Sequence, residues 1–199
     1  METKLKIIRT ALRLFLQKGI DKTSMNEIAK SIGITKPAIY YHFENKEAVI
    51  IGVLELFKKE MRNWTIELHK SDSSIKDYIE KIFQSIKIFS DVTVILLGEI
   101  PEECIYNFDE LISQFSKKNF LVKNEMENIF VQTRKSISEK IIEGQSANQI
   151  KKNLDPKLIA LQIHTIVEGI NYIAQLDSTV DLTTIGQKLF NEFWELIKQ

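Results

Sequence analysis

The stretch from Ser24 to Phe43, SMNEIAKSIGITKPAIYYHF, constrains this chain most. Two short helical patterns are separated by one glycine. Ile28, Ala29 and Ile32 make one apolar face, and Ile34, Ile39 and Phe43 make the next. Ala29 is small enough for a second helix to cross close to the first. Gly33, four positions on, suits the left-handed turn that a side chain would resist. Ser24 and Glu27 form an S-x-x-E capping box that starts the first of the two helices. Thr35 caps the second, with Pro37 in its first turn, where a missing N–H costs nothing. These features predict a helix-turn-helix over 24–43.

A second helix in such a motif presents its N-terminal end to base edges in a DNA major groove. Here that end is Thr35, Lys36, Pro37 and Ala38. Lys36 can donate to guanine or phosphate, Thr35 offers a hydroxyl, and Pro37 and Ala38 offer apolar contact. Tyr40, Tyr41 and His42 can direct polar tips at phosphate oxygens while their rings pack. Thr23 and Ser24, beside the free N–H groups of the preceding helix, make a second candidate phosphate clamp. A plainer reading makes Tyr40 and Phe43 core and Lys36 a solvated lysine. For Phe43 the plainer reading is preferred, because the spacing of four from Ile39 puts both on one face. For Tyr41 and His42 the functional reading is preferred, because three consecutive rings exceed the arc a buried stripe needs.

Thr23-Ser24, Glu27-Ile28-Ala29, Gly33, Thr35-Lys36, Tyr40-Tyr41-His42-Phe43 and Asn45-Lys46-Glu47 together resemble the N-terminal domain of TetR-family transcriptional regulators over roughly residues 5 to 55. Beyond that point the resemblance is architectural. It implies that the aromatic and His positions meet the DNA backbone, and that Lys46 matches a family lysine with the same role. It also implies a helical body that binds a small molecule and pairs with a second copy.

Charge is balanced overall but not along the chain. Residues 1–48 hold nine Lys or Arg against five Asp or Glu, whereas the remaining residues hold 18 against 22. A basic head on an acidic body suits a polyanion reader, although a difference this small also arises by chance. The single cysteine, Cys104, excludes an intramolecular disulfide and fits a reducing compartment. The N-terminus is basic and amphipathic without a leader's apolar core, and Val92 to Gly98 is too short to span a bilayer. The expectation is a cytoplasmic protein without a membrane partner.

Helical periodicity dominates the 199 residues and strand alternation is nearly absent, so the expected class is all-α with about nine helices. The predicted organisation is a three-helix DNA-binding domain over 1–48 and a helical ligand-binding and dimerisation domain over 49–199. Leu5, Ile8, Leu12 and Phe15 stripe the first helix, and Asn45 caps a fourth that runs to about His69. A helix from Ile75 to Phe89 follows, then one over Val92 to Ile105 interrupted at Gly98 and Pro101. A single long stretch covers Phe108 to Glu143, punctuated by Gly144-Gln145-Ser146, with a short turn containing Ile150. Asp155-Pro156 opens a helix to about Leu176. The last runs from about Leu182 to Lys198.

The helix from Pro156 is apolar around most of its circumference, with Ile163, Val167 and Ile170 among its residues and Gly169 allowing close approach. In the last helix Leu189, Phe193 and Leu196 share one stripe. The resemblance implies that these two helices pair with their copies in a homodimer; burial within one subunit is the alternative. Met61, Trp64, Leu97, Tyr106, Phe108, Phe115 and Phe120 belong to an aromatic and soft-sulfur inventory that can line a site for an apolar or amphipathic effector, or can simply be core. Glu99, Glu102 and Glu103 read as a solvated acidic turn and Cys104 as a lone buried thiol. His69 and His164 lack metal-ligand spacing, and neither a metal nor a cofactor is expected.

The leading expectation is a ligand-responsive regulator, a repressor, that binds palindromic double-stranded operator DNA as a homodimer. The fourth helix, common to head and body, would carry the effector's influence. An architectural protein with a non-reading helix-turn-helix and a helical enzyme are the alternatives. No G-x-S-x-G, H-E-x-x-H or glycine-rich phosphate loop supports an enzyme, and no catalytic residue is expected.

Overall fold

A computed structural model describes residues 2–70, 74–89, 92–98, 108–117 and 119–199. They form ten α-helices: α1 (Glu2–Lys18), α2 (Met25–Ser31), α3 (Lys36–His42), α4 (Lys46–Lys70), α5 (Ile75–Phe89), α6 (Val92–Leu97), α7 (Phe108–Ser116), α8 (Phe120–Ser146), α9 (Pro156–Leu176) and α10 (Ile185–Ile197). The chain divides into two compact units. Unit 1 takes Met1–Asn63 and Val92–Glu127, and unit 2 takes Trp64–Asp91 and Asn128–Gln199.

In unit 1, α1 buries Ile7, Ile8, Ala11, Leu12, Phe15 and Leu16. Leu5, expected on that stripe, lies at its exposed edge. α2, α6 and α7 pack on α1, and α3 packs on α2. The core continues through Val49, Ile50, Val53 and Leu54 of α4 and into Leu96, Phe108, Leu111, Ile112 and Val122. Phe57 and Phe108 meet with ring centroids 5.1 Å apart. On the surface of the unit, Lys58 pairs with Glu55 at 3.0 Å and Glu125 at 2.7 Å.

In unit 2, α5 packs on α9 and α10. Ile75, Tyr78, Ile79, Ile82, Phe83 and Ile86 of α5 interleave with Ile159, Ile163 and Val167 of α9 and Phe190, Phe193 and Ile197 of α10. Phe83 meets Phe190 at 6.2 Å and Phe193 at 5.5 Å between ring centroids. Gly186 lets α5 and α10 touch backbone to backbone: a Cβ there would lie 2.4 Å from the Phe83 carbonyl oxygen. The end of α10 is tied to the loop before α9. Ile150 and Lys198 form an antiparallel bridge, Lys151 N donates to Ile197 O at 3.0 Å, and Gln199 N donates to Gln149 O at 3.0 Å.

Three local expectations change. The stretch from Phe108 is two helices, which raises the count to ten among the described residues. Asn119 starts α8 by accepting from Leu121 N at 3.0 Å and Val122 N at 3.2 Å, so its short side chain competes with helix continuation. Gly144 does not end α8. It lies inside the helix, buried, where an added Cβ would meet Ile75 and Ile150 at 3.0 Å. The break falls instead at Asn148, which takes φ +55°, a conformation asparagine tolerates. The bridge at Ile150 stands in place of a helical turn.

Candidate nucleic-acid interface

The head is shaped by short-range bonds. Ser24 is extended at the N-cap of α2 and its Oγ accepts from Glu27 N at 3.2 Å. The capping box is only half closed, because the Glu27 carboxylate pairs with Lys18 of α1. α2 ends in a Schellman turn: Gly33 N donates to Lys30 O at 3.2 Å, and Ile34 N to Ala29 O at 3.0 Å. Gly33 has φ +73°, and the place a Cβ would occupy has nothing within 4 Å, so conformation rather than space selects glycine. Thr35 then caps α3, accepting from Ala38 N at 3.4 Å.

Ile39 is fully buried and sets the rotation of α3. Lys36, Pro37, Tyr40 and Tyr41 are thereby exposed and Ala38 half-exposed, with Thr35 exposed at the cap. Tyr41 is 87% exposed, and its ring meets that of His42 edge-on at 5.2 Å. The Lys36 ammonium stands 6.0 Å from the Tyr40 ring centre. Phe43 is buried, as the spacing from Ile39 requires, with Lys4 5.3 Å above its ring. A basic and aromatic ridge therefore stands on the open side of α3, with hydroxyl and ammonium donors suited to phosphate and base edges.

Two expected contacts are placed differently. Thr23 is 1% exposed, and its hydroxyl donates to Gly19 O at 2.9 Å while its N–H donates to Ile20 O at 3.2 Å. Its donors are spent inside the turn, and Ser24 is the exposed member of the pair. Lys46 is half-buried, and its Nζ donates to Ile20 O at 2.6 Å and Thr23 O at 2.9 Å. Neither bond was readable from spacing, since Lys46 lies 23 and 26 residues from its acceptors.

The residues expected to meet an effector are dispersed. In unit 1, Phe108 is core, while Leu97 and Phe115 are half-buried against that core. Met61 is half-buried and Phe120 is 71% exposed. Phe115 also lines a groove of about 140 Å³ beside Lys18–Lys22 and Gln114. Trp64 packs against the core of unit 2. Tyr106, Glu99, Glu102, Glu103 and Cys104 lie outside the described residues.

Of the residues expected at a dimer contact, Ile163, Val167 and Phe193 are buried in the core of unit 2, and Ile170 and Leu189 pack against it. Leu196 is 69% exposed. The exposed apolar side of α9 consists of Leu158, Leu161, Tyr172, Ile173 and Leu176. Gly169 has nothing within 4 Å of a Cβ, so it permits no close contact within unit 2. The sequence reading also missed a polar set where α8 meets α9. Arg134 Nη1 lies 3.3 Å from His164 Nδ1, and His164 Nε2 lies 3.4 Å from Glu168. Since guanidinium only donates, Nδ1 accepts and Nε2 carries the hydrogen toward Glu168. The i, i+4 spacing of His164 and Glu168 was the available signal. One turn on, Asn171 is buried with its Oδ1 unpartnered.

Among the described residues no group of three His, Cys, Asp or Glu is placed to hold a metal, and no helix is long and apolar enough to cross a membrane.

Residues 7–53 match the family profile described as bacterial regulatory proteins, tetR family. Over 109 residues the chain is 36% identical to the uncharacterized HTH-type transcriptional regulator YerO of Bacillus subtilis, a match that covers 51% of this chain and 38% of YerO. Over 124 residues it is 33% identical to IcaR of Staphylococcus epidermidis, the negative transcriptional regulator of the biofilm operon icaADBC, covering 62% of this chain and 61% of that one. The matches thus span between about two fifths and three fifths of these relatives' lengths. A TetR-family transcriptional regulator from Cytophaga hutchinsonii has the same fold, with TM-score 0.79 at 19% identity over 99% of this chain and 95% of that one.

Proposed function

We propose that this chain, a member of the TetR family of bacterial regulatory proteins by its residues 7–53, is a cytoplasmic repressor that binds a palindromic operator as a homodimer and releases it when a small molecule enters the helical body. The DNA-reading part is residues 1–48, with the motif at 24–43, and the rest carries the effector and the second copy.

The carrying observation is the exposure of Lys36, Tyr40 and Tyr41 on α3 while Ile39, the residue that docks the helix, is fully buried. A packed helix that turns a lysine and two rings to water, beside a basic head, is built to meet a polyanion. Thr35, Lys36, Pro37 and Ala38 read bases; Ser24, Tyr40, Tyr41 and His42 hold phosphates. Titration of a duplex selected by the protein from a random pool tests this. Tyr41→Phe should weaken binding to all sequences alike with the salt slope unchanged, because a neutral hydroxyl releases no counterion, whereas Lys36→Ala should alter base preference and, where its ammonium neutralises a phosphate, lower the slope by roughly 1. Equal affinity of Lys36→Ala and wild type for selected and scrambled duplexes would remove the reading role.

The exposed apolar stripe of α9 supports the homodimer. Leu158, Leu161, Tyr172 and Leu176 fall within one narrow arc of the helix, a surface that monomers seldom leave wet. Leu161→Glu with Leu176→Glu should give monomers that no longer hold the operator. A wild-type chain running as a compact monomer at micromolar concentration would end this part of the reading. For the effector, the uninterrupted α4, Lys46–Lys70, supports transmission from body to head. Trp64 emission in a Trp194→Phe background reports a ligand that releases the operator. A coupling of about 1–3 kcal/mol changes affinity 5- to 150-fold.

A further inference from the structure

The core-facing stripe of α1 begins with a cation. Ile8, Ala11 and Phe15 of that stripe are buried, and Lys4 stands one turn before Ile8 on the same side of the helix. Lys6, Arg9 and Arg13 share the opposite, exposed side. Residues 2–6 are all exposed, so the first turn of α1 overhangs the core. The Lys4 ammonium lies 5.3 Å over the ring of Phe43. Ile8 and Phe43 meet at Gly52 of α4, where an added Cβ would lie 3.1 Å from Ile8 and 3.2 Å from the Phe43 ring. α1, the end of α3 and α4 converge there, and Lys4 occupies the rim of that contact. Phe43 ends α3 directly after Tyr41 and His42. Among the described residues Lys4 has no carboxylate partner. An aromatic face attracts a cation but carries no counter-charge, so the ammonium remains available to an anion.

We propose that Lys4 is a further DNA-backbone contact: α1 places a positive charge beside the Tyr41–His42 end of α3, and the ammonium neutralises a phosphate of the strand that those two side chains touch. This rests on the DNA-binding reading above, and it adds α1 to the elements that meet DNA. The Phe43 ring holds the long side chain at the rim before a phosphate arrives, which lowers the cost of ordering it. A plainer role is to cover Phe43 at the edge of the core. The two roles leave different signatures. Covering the ring needs the length of the side chain and no charge. Meeting a phosphate needs the charge, and its loss changes the salt dependence of binding.

The experiment uses the full chain, Lys4→Met, Lys4→Arg and Lys6→Met, and a duplex selected by the wild type from a random pool. Lys6→Met removes the same charge from the other side of the same helix. Affinity is measured between about 50 and 200 mM salt, and thermal unfolding is followed in the free protein. The expected result for Lys4→Met is binding about five- to tenfold weaker near 0.1 M salt, on selected and scrambled duplexes alike, with a log–log salt slope shallower by about 1. Its deficit against wild type should shrink about three- to fourfold between the two salt limits. The unfolding temperature should stay at the wild-type value, since methionine still covers the ring. Lys4→Arg and Lys6→Met should keep the wild-type slope. A wild-type slope in Lys4→Met would overturn the proposal, and a lowered unfolding temperature beside it would assign Lys4 to covering Phe43. Equal loss of slope in Lys4→Met and Lys6→Met would overturn it too, by making net charge the cause. If the wild type selects no duplex, the DNA-binding reading falls and the proposal with it, whereas a wild type that selects one and a Lys4→Met that matches it would sink the proposal alone.

Discussion

The head and unit 2 each depend on one glycine, for opposite reasons. At Gly33 the space around the α-carbon is open, and the requirement is φ +73°. At Gly186 the backbone is helical, and the requirement is room: the Phe83 carbonyl lies where a Cβ would go. The first glycine serves a turn whose shape is set by bonds between near neighbours. The second serves a contact between residues about a hundred positions apart. The helix-turn-helix of the head is thus specified by local conformation, through its caps and its left-handed glycine. Unit 2 is specified by close packing of distant helices, where a single methyl is felt.

Gly186→Ala gives the largest expected effect. The methyl has no side chain to push aside, only backbone, so α5 and α10 must separate. A loss of about 3 kcal/mol is expected in urea unfolding followed by Trp194 emission. If the loss were no greater than that of Gly33→Ala, close packing would not be what distinguishes unit 2. Gly33→Ala should cost about 1–2 kcal/mol, the usual penalty for a side chain in the left-handed region. Gly33→Asn should cost less, and an equal cost would point to contacts rather than conformation. Removal of one cap, Thr35→Ala, should cost about 1 kcal/mol by fraying the start of α3 and lower operator affinity both through that fraying and through loss of the hydroxyl at the base-reading end. Thermal unfolding of the free protein and titration with the duplex separate those two effects.

The smallest effects come with pH, and they too divide by unit. Hydrogen bonds from Lys58 to Glu125 and Glu55 raise the lysine pKa above its ordinary 10.5 in unit 1. Burial raises that of Tyr78 above 10.0 in unit 2. A raised folded-state pKa contributes stability that is complete below the unfolded value and fades as pH climbs through the folded one. Both units should therefore weaken above about pH 10, unit 1 by losing ion pairs and unit 2 by burying a phenolate. Lys58→Met should flatten only its own share of the alkaline decline. At the acid end, hydrogen bonds from Thr179 to Asp177 and from Thr183 to Asp181 lower the pKa of each carboxyl below 3.8. Their contribution is present above that value and lost as pH falls through the lowered one.

This difference also explains what could be read from the chain. Ser24, Gly33, Thr35 and Pro37 act on neighbours within five positions, so the motif was legible to its turn type. Ile39 and Phe43 were legible as core because one spacing of four settles both. The Lys46 bonds, the Lys18–Glu27 pair and Gly186 against Phe83 join residues far apart in sequence, and no periodicity encodes such distances. The apolar girth of α9 was visible, but not which side faces inward: Ile163 and Val167 turned out to be core, and Leu161 and Tyr172 the exposed side. Periodicity identifies a stripe; only the partner helices choose which of two stripes is covered.

The bridge between Ile150 and Lys198 closes the excursion of α9 and α10 into a loop of about 48 residues, whose far end is the short turn at 177–184. That turn is held by the local bonds of Asp177 and Asp181, whereas α10 is held by α5 and by the bridge. The covalent link between α9 and α10 is therefore the most dispensable bond in the loop. A protease that cuts at 177–184 should leave a nicked protein in which the last helix stays seated, and α10 supplied as a separate peptide should find its place against Phe83.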